Sequence, residues 1–349
     1  MASNNFTGKL PTSLASLLRI AVLRLRNNSL TGEIPLLQSS EDLGLLDLGE
    51  NEISGKLPEW LGRSSKYLLV LRLRSNKFYG SVPESWCNLQ ALQVLDLSLN
   101  NITGMLPRCL ANMTAMSSDV STYAGVDSAN VVWKGLEREF GKGIRLLRSI
   151  DISSNRLSGT IPAQVTSLLK LLSLNLSRNN LTGSIPSDFG RLIHLESLDL
   201  SRNWLSATIP ASFSSLSFLS KLDLSYNNLT GRIPQSTQLQ SFDALDYTGN
   251  LQLCGLPLTK YCPGDETEAT DGGENDKNED DQEDKFVSFG FYVGIGVGFL
   301  VGFWGVCGTL VLKKSWRYAY FQFFDNMNDW LHVRTGIFKA TLQRRQNQG

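Results

Sequence analysis

One motif, L-x-L-x-x-N-x-[LIF]-[TS]-G-x-[IL]-P, returns nine times with small departures, and it constrains the fold more than any other feature of this chain. Its central asparagines are Asn4, Asn28, Asn51, Asn76, Asn100, Asn155, Asn179, Asn203 and Asn227. All gaps but one are 23 to 25 residues; the exception, Asn100 to Asn155, is 55 residues. A unit this short cannot bury its own apolar face, so the copies must stack and share one interior. The product is a curved solenoid with parallel strands on its inner side, a surface suited to recognition more than to chemistry.

The period is that of a leucine-rich repeat. The predicted fold class is a leucine-rich-repeat solenoid, with a parallel β-sheet on the concave face and a short 3-10 or irregular convex side, followed by one transmembrane α-helix. Alternate strand residues face opposite ways, so the leucines of L-x-L point inward. Leu23 and Leu25, Leu71 and Leu73, Leu174 and Leu176, and Leu222 and Leu224 are examples. The landmark asparagine is expected to turn inward and hydrogen-bond the backbone of the adjoining turn, each bond contributing about 1 kcal/mol net. After it, Thr/Ser-Gly gives a turn. Ile/Leu-Pro then restarts the chain in an extended form, because proline fixes φ and restrains its predecessor.

Residues between the leucines face the concave side. Asp47, Glu50, Asp96, Asp151, Asn175, Asp199 and Asp223 stand there, and the plainer reading is that L-D-L-S aspartates belong to the repeat and hydrate the face. Arg24, Arg26, Arg72 and Arg74 depart from that pattern. With Arg178, Arg202 and Tyr226 they are the candidate ligand contacts on the strands. The net charge of zero gives no basis for a nucleic-acid partner. An extracellular protein, peptide or glycan ligand is expected instead.

The long gap holds an insertion between Asn112 and Leu146. Its first half, Ser/Thr/Gly/Asp-rich from Ser117 to Asn130, reads as flexible loop; Val131 to Phe140 reads as an extended segment. Insertions of this length cost little loop entropy and tend to be functional. Trp133 is a candidate ligand contact, although Trp133 and Phe140 read equally as anchors tying the insert to the solenoid. Cys254 and Cys262, after the last repeat, are expected to close a disulfide that caps the core. Cys87 and Cys109, 22 residues apart, are brought side by side by stacking and form a second candidate pair. Cys307 is a small apolar residue of the span or, alternatively, a lipidation site. There is no C-x-x-C pair, and we expect no metal site and no cofactor.

Charge is distributed unevenly. Residues 265–285 carry 11 acidic side chains against two lysines, and 313–349 carry seven Lys/Arg against two Asp. Between them Phe286 to Leu312 is a run of 27 uncharged residues, long enough for a tilted membrane-spanning helix. Lys313, Lys314 and Arg317 directly after it mark the cytoplasmic side, which places the repeats outside at the plasma membrane. The N-x-[ST] sequons at Asn5, Asn27, Asn101, Asn112, Asn175, Asn180 and Asn228 all precede the span. A glycan on Asn175 would lie on the concave face and argue against a flat partner over the last repeats. Gly290, Gly294, Gly298 and Gly302 recur at four-residue intervals, the stripe that lets a second helix approach closely in lipid. Glycine is also simply common in spans. In the tail, Tyr318 to Phe323 fits a Y-x-x-Φ sorting signal or an interfacial aromatic anchor. No leader precedes the first half-repeat, so the chain is expected to be the C-terminal part of something longer, with a truncated gene product as the competing reading.

Catalysis has no residues to carry it: the two histidines, His194 and His332, fall on opposite sides of the span, and no nucleophile–His–acid set exists. We therefore expect no enzyme.

The L-T-G-x-I-P repeats, the island ending in Lys134-Gly135-Leu136-Glu137, and the Leu253-Cys254-Gly255 cap come in a telling order. The acidic stretch follows them, then Gly302-Phe303-Trp304-Gly305-Val306-Cys307-Gly308-Thr309-Leu310 and Lys313-Lys314-Ser315-Trp316-Arg317. This series resembles the plant leucine-rich-repeat receptor-like proteins that lack a kinase, especially the receptors for ethylene-inducing xylanase. The resemblance implies a plasma-membrane receptor in plant defence that detects an extracellular ligand and signals through a partner receptor kinase, paired through the glycine stripe of the span. The expected organisation is repeats at 1–110, island at 111–146, four repeats at 147–237, cap at 238–263, acidic linker at 264–285, span at 286–312 and tail at 313–349. Two alternatives from other classes are a membrane-tethered binding or inhibitor protein against a wall-degrading enzyme, and a truncated decoy.

Overall fold

The computed structural model describes residues 2–16, 20–37, 40–118, 126 and 128–263. The acidic linker, the predicted span with Gly290, Gly294, Gly298, Gly302 and Cys307, and the tail lie outside the described residues. Among the described residues no helix is long and apolar enough to cross a membrane.

The coils form a leucine-rich-repeat solenoid built on parallel sheets. On the inner face eight short strands run in chain order: Val22–Arg24, Leu45–Asp47, Val70–Arg72, Val94–Asp96, Ser149–Asp151, Ser173–Asn175, Ser197–Asp199 and Lys221–Asp223. Equivalent positions pair directly, as in Leu46 with Leu71 and Leu198 with Leu222. Ser149–Asp151 pairs with Val94–Asp96, so the ladder runs straight past the insertion. The L-x-L leucines enter one continuous core from Leu10 to Leu253, with Leu23 packed partly buried at its open end.

The landmark asparagines hold the coils together. In Asn203, Nδ2 donates to the carbonyls of Leu176, Leu200 and Ser201 at 3.0–3.3 Å, and Oδ1 accepts from Leu181 N–H at 3.0 Å. Asn28, Asn51, Asn76, Asn100, Asn155, Asn179 and Asn227 repeat this pattern. Asn250 adds a further rung inside the cap, accepting from Leu229 N–H and donating to Leu224 and Tyr247 carbonyls. Because Asn203 bonds two coils at once, Asn203→Ala is expected to cost about 2 kcal/mol through stranded buried groups, read as a lowered urea midpoint.

The convex side carries the expected 3-10 turns and, beside them, a sheet the repeat pattern did not announce. A second sheet of ten parallel strands runs from Thr7–Lys9 to Gln252–Cys254, and the predicted Thr/Ser-Gly turns lie inside it, for example in Asn180–Ser184. The glycine does bend the chain: Gly183 has φ +75°, and a Cβ there would press on the Thr160 methyl. Stacking nevertheless brings the same backbone stretch of each coil alongside the last, so amides and carbonyls pair between coils. Beyond that sheet come the expected 3-10 turns, such as Ala163–Ser167 and Ser187–Arg191, each entered from a proline near φ −60°. The end is closed by the 3-10 turn Ala244–Tyr247, by Tyr247 donating to the Leu239 carbonyl at 2.7 Å, and by the Cys254–Cys262 disulfide. Cys87 and Cys109 are also bonded, with Cα atoms 5.5 Å apart.

A candidate recognition surface on the island and the last coils

Across the inner sheet one register row reads Val22, Leu45, Val70 and Val94 before the insertion, then Ser149, Ser173, Ser197 and Lys221 after it. These side chains face away from the core leucines. An apolar row on that face needs a cover, and the island supplies it over Leu45, Val70 and Val94, leaving Val22 exposed. Ala129–Trp133 and Leu136–Phe140 form an antiparallel hairpin whose two-residue turn has positive φ at both Lys134 and Gly135. Val126, Ala129, Val131 and Ile144 pack on Leu45, Val70 and Val94 in a second core, and Trp133 and Phe140 border it edge to face at 6.2 Å. At the island's root, Met113, Ala115 and Met116 are buried, and Ala115 N–H and Met116 carbonyl bridge to Gln90 and Lys170.

The next row, Arg24, Asp47, Arg72, Asp96 and Asp151, carries the charge. Arg72, expected on the open face, is only 1% exposed. It sits 3.6 Å from Asp47, 3.4 Å from Asp96 and 2.6 Å from Glu137 of the hairpin. Burial opposes its charge, but Asp47, Asp96 and Glu137 outweigh that and raise its pKa. Glu137 also takes both ends of the Arg26 fork, at 2.8 and 3.1 Å. Partial burial works against the Glu137 charge; Arg72 and Arg26 together win and hold its pKa down. For Asp47 burial dominates and pushes the pKa up in spite of Arg72. Arg24 donates to the Ser128 carbonyl, and Arg74 to Ser98 Oγ at 3.0 Å. The four arginines singled out in the sequence thus meet the protein itself, three of them through the island. Sequence reasoning missed Glu137, because a carboxylate in a hairpin carries no sign of which distant strand it will cross.

The last coils are open. Arg178, Arg202 and Tyr226 occupy one position per coil, each with φ near +55° just ahead of the landmark asparagine. Their side chains therefore stack in register: the Arg202 guanidinium lies 4.4 Å over the Tyr226 ring, which is 49% exposed. Asn175, Asp199 and Asp223 line the adjacent row, each accepting from the serine two residues on. The hairpin tip reaches this region: Lys134 Nζ meets Glu196 at 2.9 Å and lies 5.5 Å from the Trp133 ring, and Lys221 Nζ abuts Gly135. Arg178, Arg202 and Tyr226, with Asn175, Asp199 and Asp223 in the adjacent row, make a polar surface on the coils that follow the island.

Stacked repeats with a capped end and an open concave row define a leucine-rich-repeat protein. Models described as leucine rich repeat match residues 145–205, and 91–113 and 218–239. The chain is 47% identical over 325 residues to the Receptor-like protein EIX2 of Solanum lycopersicum, covering 88% of this chain and 32% of that protein. Among solved structures, the leucine-rich-repeat ectodomain of the Arabidopsis thaliana receptor kinase GASSHO1/SCHENGEN3, in complex with CASPARIAN STRIP INTEGRITY FACTOR 2, superposes with a TM-score of 0.54. Its identity is 30%, over 74% of this chain and 30% of that one. The Arabidopsis receptor kinase HAESA, in complex with the peptide hormone IDA and the co-receptor SERK1, superposes with a TM-score of 0.54 at 26% identity, over 75% and 42%. The chain belongs to the plant leucine-rich-repeat receptor-like proteins, and it spans about a third of the length of the curated relative it matches.

Proposed function

We propose that this chain is the membrane-proximal part of a cell-surface receptor that recognises an extracellular ligand in plant defence and signals through a partner receptor kinase. The observation that carries the reading is the division of the concave face. The island covers Leu45, Val70 and Val94 with its own core and the Glu137 fork, and leaves Arg178, Arg202 and Tyr226 in register on the coils that follow it. HAESA, which shares this fold, is in complex with a peptide hormone and a co-receptor, which supports a ligand and a kinase partner in kind.

The test is paired. A fungal ethylene-inducing xylanase, the ligand class the resemblance names, is titrated against the chain in detergent. Arg202→Ala with Tyr226→Ala is expected to weaken binding about tenfold or more, the signature of a stacked cation–aromatic contact. Separately, leucine at Gly290, Gly294, Gly298 and Gly302 is expected to abolish recovery of a receptor kinase with the chain while leaving xylanase binding intact. Intact signalling by the glycine variant would favour the tethered-inhibitor alternative.

A further inference from the structure

Four of the sequons, Asn5, Asn101, Asn180 and Asn228, recur at one place in the coil, the residue after the landmark asparagine; the last three stand on coils flanked on both sides. Asn101, Asn180 and Asn228 open the second-sheet strands Asn101–Gly104, Asn180–Ser184 and Asn228–Arg232. Each is exposed and is followed by a fully buried Ile102, Leu181 or Leu229, which pins the strand and turns the asparagine outward. On the coils between them this position holds Arg156 and Trp204. Trp204 is 68% exposed, an unusual setting for an indole. The register places it between two sequons: Trp204 pairs with Thr182, the hydroxyl residue of the Asn180 sequon, and Asn228 pairs with Ser206 on the strand Trp204 opens. Asn180 and Asn228 thus stand two strand spacings apart across the sheet, at least about 10 Å, with the indole between them.

Asn175 is the opposite case. Its Nδ2 donates to Asp151 at 3.2 Å, and its Oδ1 accepts from Ser177 N–H and Oγ at 3.1 and 2.7 Å. The amide nitrogen that would carry a sugar and the serine of its sequon are both spent within the inner sheet. A glycan there would break the rung and wedge between strands.

We infer that Asn101, Asn180 and Asn228 carry N-linked glycans that form a carbohydrate strip along one flank, that Trp204 is the aromatic floor on which the Asn180 and Asn228 sugars rest, and that Asn175 stays bare. The strip leaves Arg178, Arg202 and Tyr226 clear of its sugars, while the exposed Asn27 sequon holds their position on an early coil. The strip rests on the extracellular reading above, and the experiment separates the two. The full chain is expressed in leaf cells, purified in detergent and mapped by glycopeptide mass spectrometry. Hydroxyl-radical footprinting of Trp204 is then run before and after enzymatic deglycosylation. Glycans on Asn101, Asn180 and Asn228, none on Asn175, and a several-fold rise in Trp204 oxidation on deglycosylation are expected, with buried Trp86 unchanged as control. Asn180→Gln with Asn228→Gln is expected to expose Trp204 to the same degree without enzyme. Sugar on Asn175, or empty Asn180 and Asn228 in a chain glycosylated at Asn5 or Asn112, overturns the strip and leaves the extracellular reading standing. A chain bare at every sequon overturns both. Unchanged Trp204 oxidation removes the floor.

Discussion

Arg72→Leu is expected to lower the melting temperature of the solenoid by on the order of 10 °C, the largest effect of any single change on the inner sheet. Arg72 lies between Asp47 and Asp96 on neighbouring strands and beneath Glu137 of the hairpin. Removing the cation leaves two buried carboxylates without a counter-charge, which costs about 3–5 kcal/mol. In a unit of this size each kcal/mol moves the midpoint by roughly 2–4 °C. Arg72→Lys keeps the charge but cannot reach carboxylates on two strands and a hairpin at once, and falls between. Glu137→Gln is milder, because Asp47 and Asp96 still hold Arg72 while only the tie to the island is lost. Circular-dichroism melts of the three variants test the order. Equal midpoints for Arg72→Leu and Glu137→Gln would show that the sheet carboxylates are not what the arginine serves.

How far the sequence spoke for itself follows from what kind of contact each residue makes. The core leucines and the asparagine rungs were legible because each coil meets an identical copy of itself, so local pattern and tertiary contact are the same information. Asn250 went unread because the cap lacks the L-x-L that marks the other rungs, although its Gly-Asn-Leu keeps the spacing. The second sheet went unread for a related reason: Thr-Gly is turn chemistry within one coil and becomes a strand only when a neighbour lies alongside. The island's seat had a visible sign, since Val22, Leu45, Val70 and Val94 give way to serines at the same position after the insertion. The burial of Arg72 had none. It depends on Glu137 arriving from a hairpin whose path across the sheet is set by packing of Val131, Trp133 and Phe140, which no periodicity encodes.

Asp151 makes the fold itself responsive to pH. Its Oδ1 accepts from Ser153 N–H and Oγ at 3.0 and 2.6 Å, and its Oδ2 accepts from Asn175. Burial first, and then the charge of Asp96 on the next strand, raise its pKa from 3.8 to about 6. A group whose folded pKa is raised contributes fully below its unfolded value, and that contribution is lost as pH climbs through the folded one. Stability should therefore fall by about 3 kcal/mol between pH 4 and pH 6 and stay flat above. Burial raises Asp47, Asp199 and Asp246 in the same sense. Glu137, with its pKa lowered, acts oppositely and only below its ordinary range. The chain is thus expected to melt higher at pH 5 than at pH 7.5. Asn175 shows what an amide does at the same register: it keeps the serine bonds and donates across to the neighbouring carboxylate. Asp151→Asn removes the charge but turns an amide NH2 toward the Asn175 Nδ2 that Oδ2 accepts from, so it should flatten the profile between pH 4 and pH 6 and gain less than about 3 kcal/mol at pH 7.5. Parallel melting curves for the two proteins from pH 4 to pH 8 would mean that Asp151 ionises as it does in water, and the proton would then have to be sought on the Asp199 and Asp246 rows instead.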